Sequence, residues 1–281
     1  MSTVLALAQD GHVHGHDTIH HFELGAWIPA LAYLVSFTGS VVGLACARQA
    51  TLAPSERLRR RWQGFAATSI GGVAIWLMHF IAMLGMAVPG TATRYQLGWT
   101  IGSALLAVGA TFAAFRIIGP RVRILRLLGG GLVMGLAVNL MHYVGMYALH
   151  IQGDIAYDPL LVGASIAIAV VAATVALWFT LVLRVVTMRI LAGLVMGVAV
   201  VGMHYTGMAA MRVTLDPDAP APTGLDVFSF LFPVFVIGLL ALAIPITAVM
   251  MAPDPEDPDL AQLIEEERAT RDQPRVGALT G

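Results

Sequence analysis

The sequence has no lysine and only one cysteine, Cys46, in 281 residues. A lone cysteine excludes an intramolecular disulfide framework and every cysteine-rich zinc or iron–sulfur site. Charged residues make up 12% of the chain, roughly half of what a soluble domain carries. Net charge is -1, so no excess of positive charge exists to neutralise phosphates, and a nucleic-acid partner is excluded. The apolar stretches hold no paired carboxylates for acid–base work, and no Gly-rich phosphate cradle precedes a lysine, so catalysis is not expected. What the chain has in excess is apolar residues, 58% of the total, with a mean hydropathy of +0.79. The composition is that of an integral membrane protein, with the lipid bilayer as its first partner.

Seven apolar runs of about 20 residues, the length that crosses roughly 30 Å of hydrocarbon, are expected near 26–47, 64–87, 98–118, 127–149, 160–183, 190–211 and 228–250. The intervening arginines set the expected orientation, because basic short loops stay on the cytoplasmic side. Arg48, Arg57, Arg59, Arg60 and Arg61 follow the first run, Arg116, Arg121, Arg123 and Arg126 the third, and Arg184 and Arg189 the fifth. The alternate loops hold Arg94 and Arg212 beside Asp154, Asp158, Asp216, Asp218 and Asp226. The N-terminus is therefore expected outside and the C-terminus in the cytoplasm. The apolar stretch Val4–Ala8 is too short and lacks a basic flank, so no cleaved signal peptide is expected.

Three parts follow from this reading: an extracytoplasmic tail (1–25), a membrane domain (26–250) and an acidic, Pro-rich cytoplasmic tail (251–281). The first tail carries His12, His14, His16, His20 and His21. Clustered imidazoles collect copper, zinc or nickel, which makes these five histidines candidate accessory metal ligands; the alternative is a merely polar leader. The second tail is too short for a catalytic or DNA-binding output domain, so a signalling role calls for a partner.

Inside the membrane part the sequence repeats. Residues 131–146 read GLVMGLAVNLMHYVGM, residues 193–208 read GLVMGVAVVGMHYTGM, and 68–83, TSIGGVAIWLMHFIAM, form a more divergent copy. Their histidines, His79, His142 and His204, stand 63 and 62 residues apart. A period of two spans makes every copy enter the membrane in the same direction, so the fold is expected to be three tandem two-helix repeats plus a final helix. All three Met-His pairs then lie at one depth, near the outer face. In each copy a second methionine, Met83, Met146 or Met208, follows the histidine by four residues, one helical turn along the same face.

Ionisable residues inside spans are costly and commonly functional, and here one histidine recurs three times with the same thioether neighbours. Soft thioethers select Cu(I), imidazole accepts copper in either oxidation state, and no carboxylate adjoins the motifs. Two further readings stay open: a haem held by His or Met/His pairs, and packing histidines on a scaffold. Asn139 is the one other strongly polar side chain in a span; it is a candidate to hydrogen-bond a neighbouring helix or a ligating histidine.

At these residues the sequence resembles the MHYT family of bacterial integral membrane sensors, whose motif stands complete as MHYT at 203–206, with MHYV at 141–144 and MHFI at 78–81. The resemblance covers roughly 26–250. It implies a multi-pass inner-membrane protein that binds copper and senses oxygen, carbon monoxide or nitric oxide. The ligands it implies are Met78, His79 and Met83, Met141, His142 and Met146, and Met203, His204 and Met208. Relatives carry cytoplasmic signalling domains, so a cytoplasmic signalling partner is the expected route of output here. A copper importer or metal-handling protein is the alternative from the transport class.

Overall fold

The computed structural model describes residues 19–20 and 22–252. Seven helices are long and apolar enough to cross a bilayer: α1 (Trp27–Leu52), α2 (Glu56–Met83), α3 (Leu97–Ile118), α4 (Ile124–Tyr147), α5 (Pro159–Val182), α6 (Val186–Ala209) and α7 (Val227–Met250). Leu105, Val171, Val198, Ile237 and Leu240 point outward. In water such a surface would drive aggregation; in hydrocarbon it is the face a span presents to lipid.

The helices overrun the hydropathic runs where polar turns remain helical. α1 continues to Leu52 rather than 47, and α2 begins at Glu56 rather than 64. Ser55 caps α2 by accepting a hydrogen bond from the Leu58 amide at 3.2 Å, and Glu56 pairs with Arg59 and Arg60 one turn on. Such i,i+3 and i,i+4 pairs stabilise the kind of polar turn that a hydropathy window discards as loop.

Consecutive helices α1 to α6 pack as neighbours, and α6 packs back on α1 to close a ring. α7 lies outside that ring, against α2 and α1. The motif helices α2, α4 and α6 thus alternate with α3, α5 and α1 around the ring. Small residues allow the close approaches: a Cβ at Gly135 of α4 would lie 2.5 Å from the Val170 backbone of α5. α2 departs from its counterparts. Its stretch Thr68–Leu77 is a π-helix before the α-helical Met78–Met83, whereas α4 and α6 are α-helical throughout.

At the end where α2, α4 and α6 finish, the loops pair with one another. β1 (Arg94–Tyr95) pairs with β2 (Leu149–His150), and β3 (Gly153–Tyr157) with β4 (Met211–Leu215). Isolated bridges add His20 to Ala87 and Tyr95 to Leu225. Loops after all three motif helices are therefore zipped into one cap. Beneath it Met83, Met86, Met146, Met208 and Met211 pack with Phe80 and Tyr95 in a single apolar cluster.

Candidate metal centre

The three motif histidines converge in the middle of the ring, just below the cap. His79, His142 and His204 are all 1% exposed or less. His79 Nδ1 stands 3.0 Å from His204 Nδ1 and 3.2 Å from His142 Nδ1. The rings form a three-bladed propeller, with centroids 5.0, 5.0 and 5.1 Å apart and interplanar angles of 82°, 78° and 89°.

This arrangement fits a metal ion. Each neutral imidazole nitrogen has one in-plane position, occupied by either a proton or a lone pair, so three convergent Nδ1 atoms cannot all be satisfied by hydrogen bonds to one another. One ion between them takes all three lone pairs. Nitrogens about 2.0–2.1 Å from a common ion at tetrahedral angles lie about 3.3 Å apart, close to the separations here. Among the described residues, this triad is the one group of three or more His, Cys, Asp or Glu placed to hold an ion.

The far edges of the rings are seated against glycine. A Cβ at Gly145 would come within 2.5 Å of His79 Nε2, and one at Gly207 would meet His142 Nε2. Each motif glycine therefore leaves the slot into which the histidine of the preceding copy fits; the corresponding position in the first copy is Ala82. Nε2 of His79 and of His142 is buried with no hydrogen-bond partner, so steric seating, and not a hydrogen bond, fixes these two rings.

The aromatic residue after each histidine lies edge-on to it: Phe80, Tyr143 and Tyr205, with centroids 4.8, 4.9 and 5.0 Å away. Tyr143 and Asn139 meet at Ser165 on α5. Ser165 gives its proton to the Val162 carbonyl at 2.8 Å, so the Tyr143 hydroxyl at 3.1 Å and the Asn139 amide at 2.9 Å both donate to Ser165 Oγ. Asn139 thus binds helix α4 to helix α5. The first copy repeats this bond with different chemistry: Trp76, likewise three residues before its histidine, donates to Ser103 Oγ at 3.0 Å.

All six motif methionines are buried. Met83, Met146 and Met208, one turn beyond the histidines, share the apolar cluster under the cap with Met78. Met141 and Met203 belong to the cluster on the other side, with Met134 and Met196. Of the tail histidines, His20 is exposed, with Nδ1 3.3 Å from Glu23 Oε2. His12, His14, His16 and His21, and the tail after residue 252, lie outside the described residues.

The repeat described as "Bacterial signalling protein N terminal repeat" matches three times, at 72–131, 135–193 and 197–255, so each match starts within a motif helix and takes in the next helix. The chain is 40% identical over 222 residues to the bifunctional diguanylate cyclase/cyclic di-GMP phosphodiesterase MucR of Pseudomonas aeruginosa, covering 76% of this chain and 32% of that protein. It is 30% identical to the signalling protein YkoW of Bacillus subtilis (77% of this chain, 27% of the relative). It is 33% identical to the cyclic di-GMP phosphodiesterase NbdA of Pseudomonas aeruginosa (68% and 25%). The chain spans about a third or less of the length of these relatives. No solved structure matches it significantly. Three matched repeats over more than half of the chain, on a seven-helix membrane fold, place this protein in the MHYT family of bacterial signalling proteins, as a multi-pass protein of the inner membrane.

Proposed function

We propose that this protein is a copper-binding sensor of a diatomic gas that signals through a cytoplasmic partner. The observation that carries this reading is the convergence of three Nδ1 atoms at 3.0 and 3.2 Å, with a buried methionine one helical turn beyond each histidine. Copper is the metal of choice because thioethers favour soft Cu(I) and imidazole accepts either oxidation state. His79, His142 and His204 are the proposed ligands, with Met83, Met146 and Met208, one turn along each helix, the candidates to complete the set, and Met78, Met141 and Met203 adjacent to the histidines in sequence. A bound ion with an open position would supply the binding chemistry for oxygen, carbon monoxide or nitric oxide.

On the side of the triad away from the cap, a chamber lined by Met134, Val138, Ala173, Met196 and Met203, with Ser40 as its one polar side chain, reaches the residue next to His204. With a single polar group such a space admits small uncharged molecules and disfavours water, which needs two or more polar partners. The arginine distribution supports a cap on the outer face and an arginine-rich end in the cytoplasm. Output then passes to a partner, for which a cyclic-di-GMP enzyme is the class suggested by the names of MucR and NbdA. Nitrogens only 3.0 Å apart leave no room for a porphyrin between them, which favours a bare ion over haem. Ligands gathered at one depth under a closed cap favour sensing over copper transport.

The test is metal analysis with an optical spectrum on detergent-purified, tag-free protein lacking residues 10–21. About one copper per chain, without a Soret band, is the expected result. No metal after anaerobic Cu(I) loading would overturn the proposal, and a Soret band would replace it with haem.

A further inference from the structure

At the arginine-rich end, helices α2 and α3 part to leave a groove on the outside of the ring. It has a volume of about 680 Å3 and is lined by Leu58, Arg61, Trp62, Phe65, Val108 and Phe112, with Gly64 and Gly109 among its walls. That size is within the range of small-molecule sites. A Cβ at Gly64 or at Gly109 would meet nothing within 4 Å, so the groove is open at both, while one at Gly72 would touch Val108 at 3.4 Å and closes its deep end.

One charged group, Arg61, stands in a lining that is apolar apart from Thr68 at its inner end. Of the neighbouring arginines, Arg59, Arg60 and Arg116 pair with Glu56, and Arg57 does not line the groove. Arg61 is exposed and has no acidic partner among the described residues. Below Arg61 the groove runs along α2 to Thr68, seven residues at about 1.5 Å each, or about 10 Å. That is about two-thirds of one leaflet of the roughly 30 Å hydrocarbon layer. A cation at the mouth of an apolar slot of that depth is complementary to an anionic head group with the upper part of an acyl chain below it. Free phosphate would meet the cation but has nothing to offer the aromatic walls.

We propose that this groove is a binding site for one anionic phospholipid, with its phosphate on Arg61 and an acyl chain between Phe65 and Phe112. The site lies on the segment of α2 that leads through the π-helical stretch to His79, so the lipid braces a helix that carries one of the three convergent imidazoles. The proposal stands on the groove alone and is independent of the metal reading.

The experiment is native mass spectrometry of the full chain released from nanodiscs of equimolar dioleoyl phosphatidylglycerol and dioleoyl phosphatidylcholine. The wild type is expected to retain one phosphatidylglycerol, preferred about fivefold, the size of effect one interfacial arginine gives. Arg61→Gln is expected to bring that preference to parity while Arg57→Gln, outside the groove, leaves it. Gly109→Phe, which fills the slot, is expected to expel the lipid, and Gly98→Phe, at an equally open position on the same helix, to retain it. Thermal melts of each variant separate lipid loss from unfolding. Lipid retention without head-group preference in the wild type, an unchanged preference in Arg61→Gln, or full retention in folded Gly109→Phe would each overturn the proposal.

Discussion

Gly145→Ala is the smallest change that tests the seating of the triad. The new methyl carbon would lie 2.5 Å from His79 Nε2, 3.1 Å from Cδ2 and 3.5 Å from Cε1, whereas ordinary contact is roughly 3.5–4.0 Å. The imidazole must retreat by about 1 Å toward Nδ1 neighbours that are already 3.0 and 3.2 Å away. Overpacking of this kind costs about 1–3 kcal/mol, offset by about 1 kcal/mol from the better helix propensity of alanine. The net effect on the metal-free melt is therefore small, and Cu(I) affinity is the sharper readout. A displaced ligand should weaken binding by about 10–100-fold, as other losses of ligand orientation do. The assay is anaerobic competition against a chromophoric Cu(I) chelator. Gly202→Ala, at an open position on α6, is the control, with wild-type affinity expected. Wild-type affinity in a folded Gly145→Ala protein would refute the idea that glycine seats a metal ligand.

Three further outcomes are expected. His142→Ala combined with His204→Ala should abolish stoichiometric copper binding while the protein stays membrane-inserted; full binding measured by mass spectrometry would move the site to the N-terminal histidines. Asn139→Leu removes a donor to Ser165 that joins α4 to α5, and should lower stability by about 0.6 kcal/mol, the average for such bonds in membranes, with metal stoichiometry unchanged; loss of copper would instead tie Asn139 to the site. Burial, followed by repulsion from Tyr143, pushes the Tyr157 hydroxyl up to about 12 from 10.0. Because the folded value is the higher one, its contribution is complete below pH 10 and is lost as pH rises toward 12. Tyr157→Phe should accordingly flatten the fall in melting temperature over that window, and an unchanged slope would count against it.

The spans and the three histidines were legible because their signals are local. Hydropathy marks a 20-residue apolar run wherever it occurs, and a histidine repeated at 62–63 residues reports its own equivalence. Other features needed the folded chain. The cap is built from strands of two to five residues in separate loops, and Arg94 finds His150 only after α4 has returned to the same face. The alternation in Met211–Leu215 was the available cue, where Met211 and Val213 are buried and Arg212 and Thr214 exposed. The arginine-rich start of α2 looked like loop because hydropathy cannot see its Ser55 cap and its Glu56 pairs. Gly145 and Gly207 could be read as sites of close approach, but not that the approaching groups are His79 and His142.

The divergence of the first copy also acquires a physical meaning. It alone has Phe for Tyr, Ala for Gly and a π-helical approach to its histidine. Yet His79 keeps short Nδ1 contacts to both of the other copies, and its ring stands as close to theirs as theirs do to each other. It is carried on the most deeply buried of the spans and reached through a wider helical turn. π-Helical segments are uncommon and concentrate at functional sites, because they trade regular packing for a shifted side-chain phase. The sequence drift in the first copy is therefore coupled to its position: α2 is wedged between α1, α3 and α7, neighbours that α4 and α6 do not all share. A residue that fits the slot in one copy need not fit it in another. The repeat preserves what the centre requires, a histidine at one depth and a methionine one turn beyond, and varies what the neighbouring helices require.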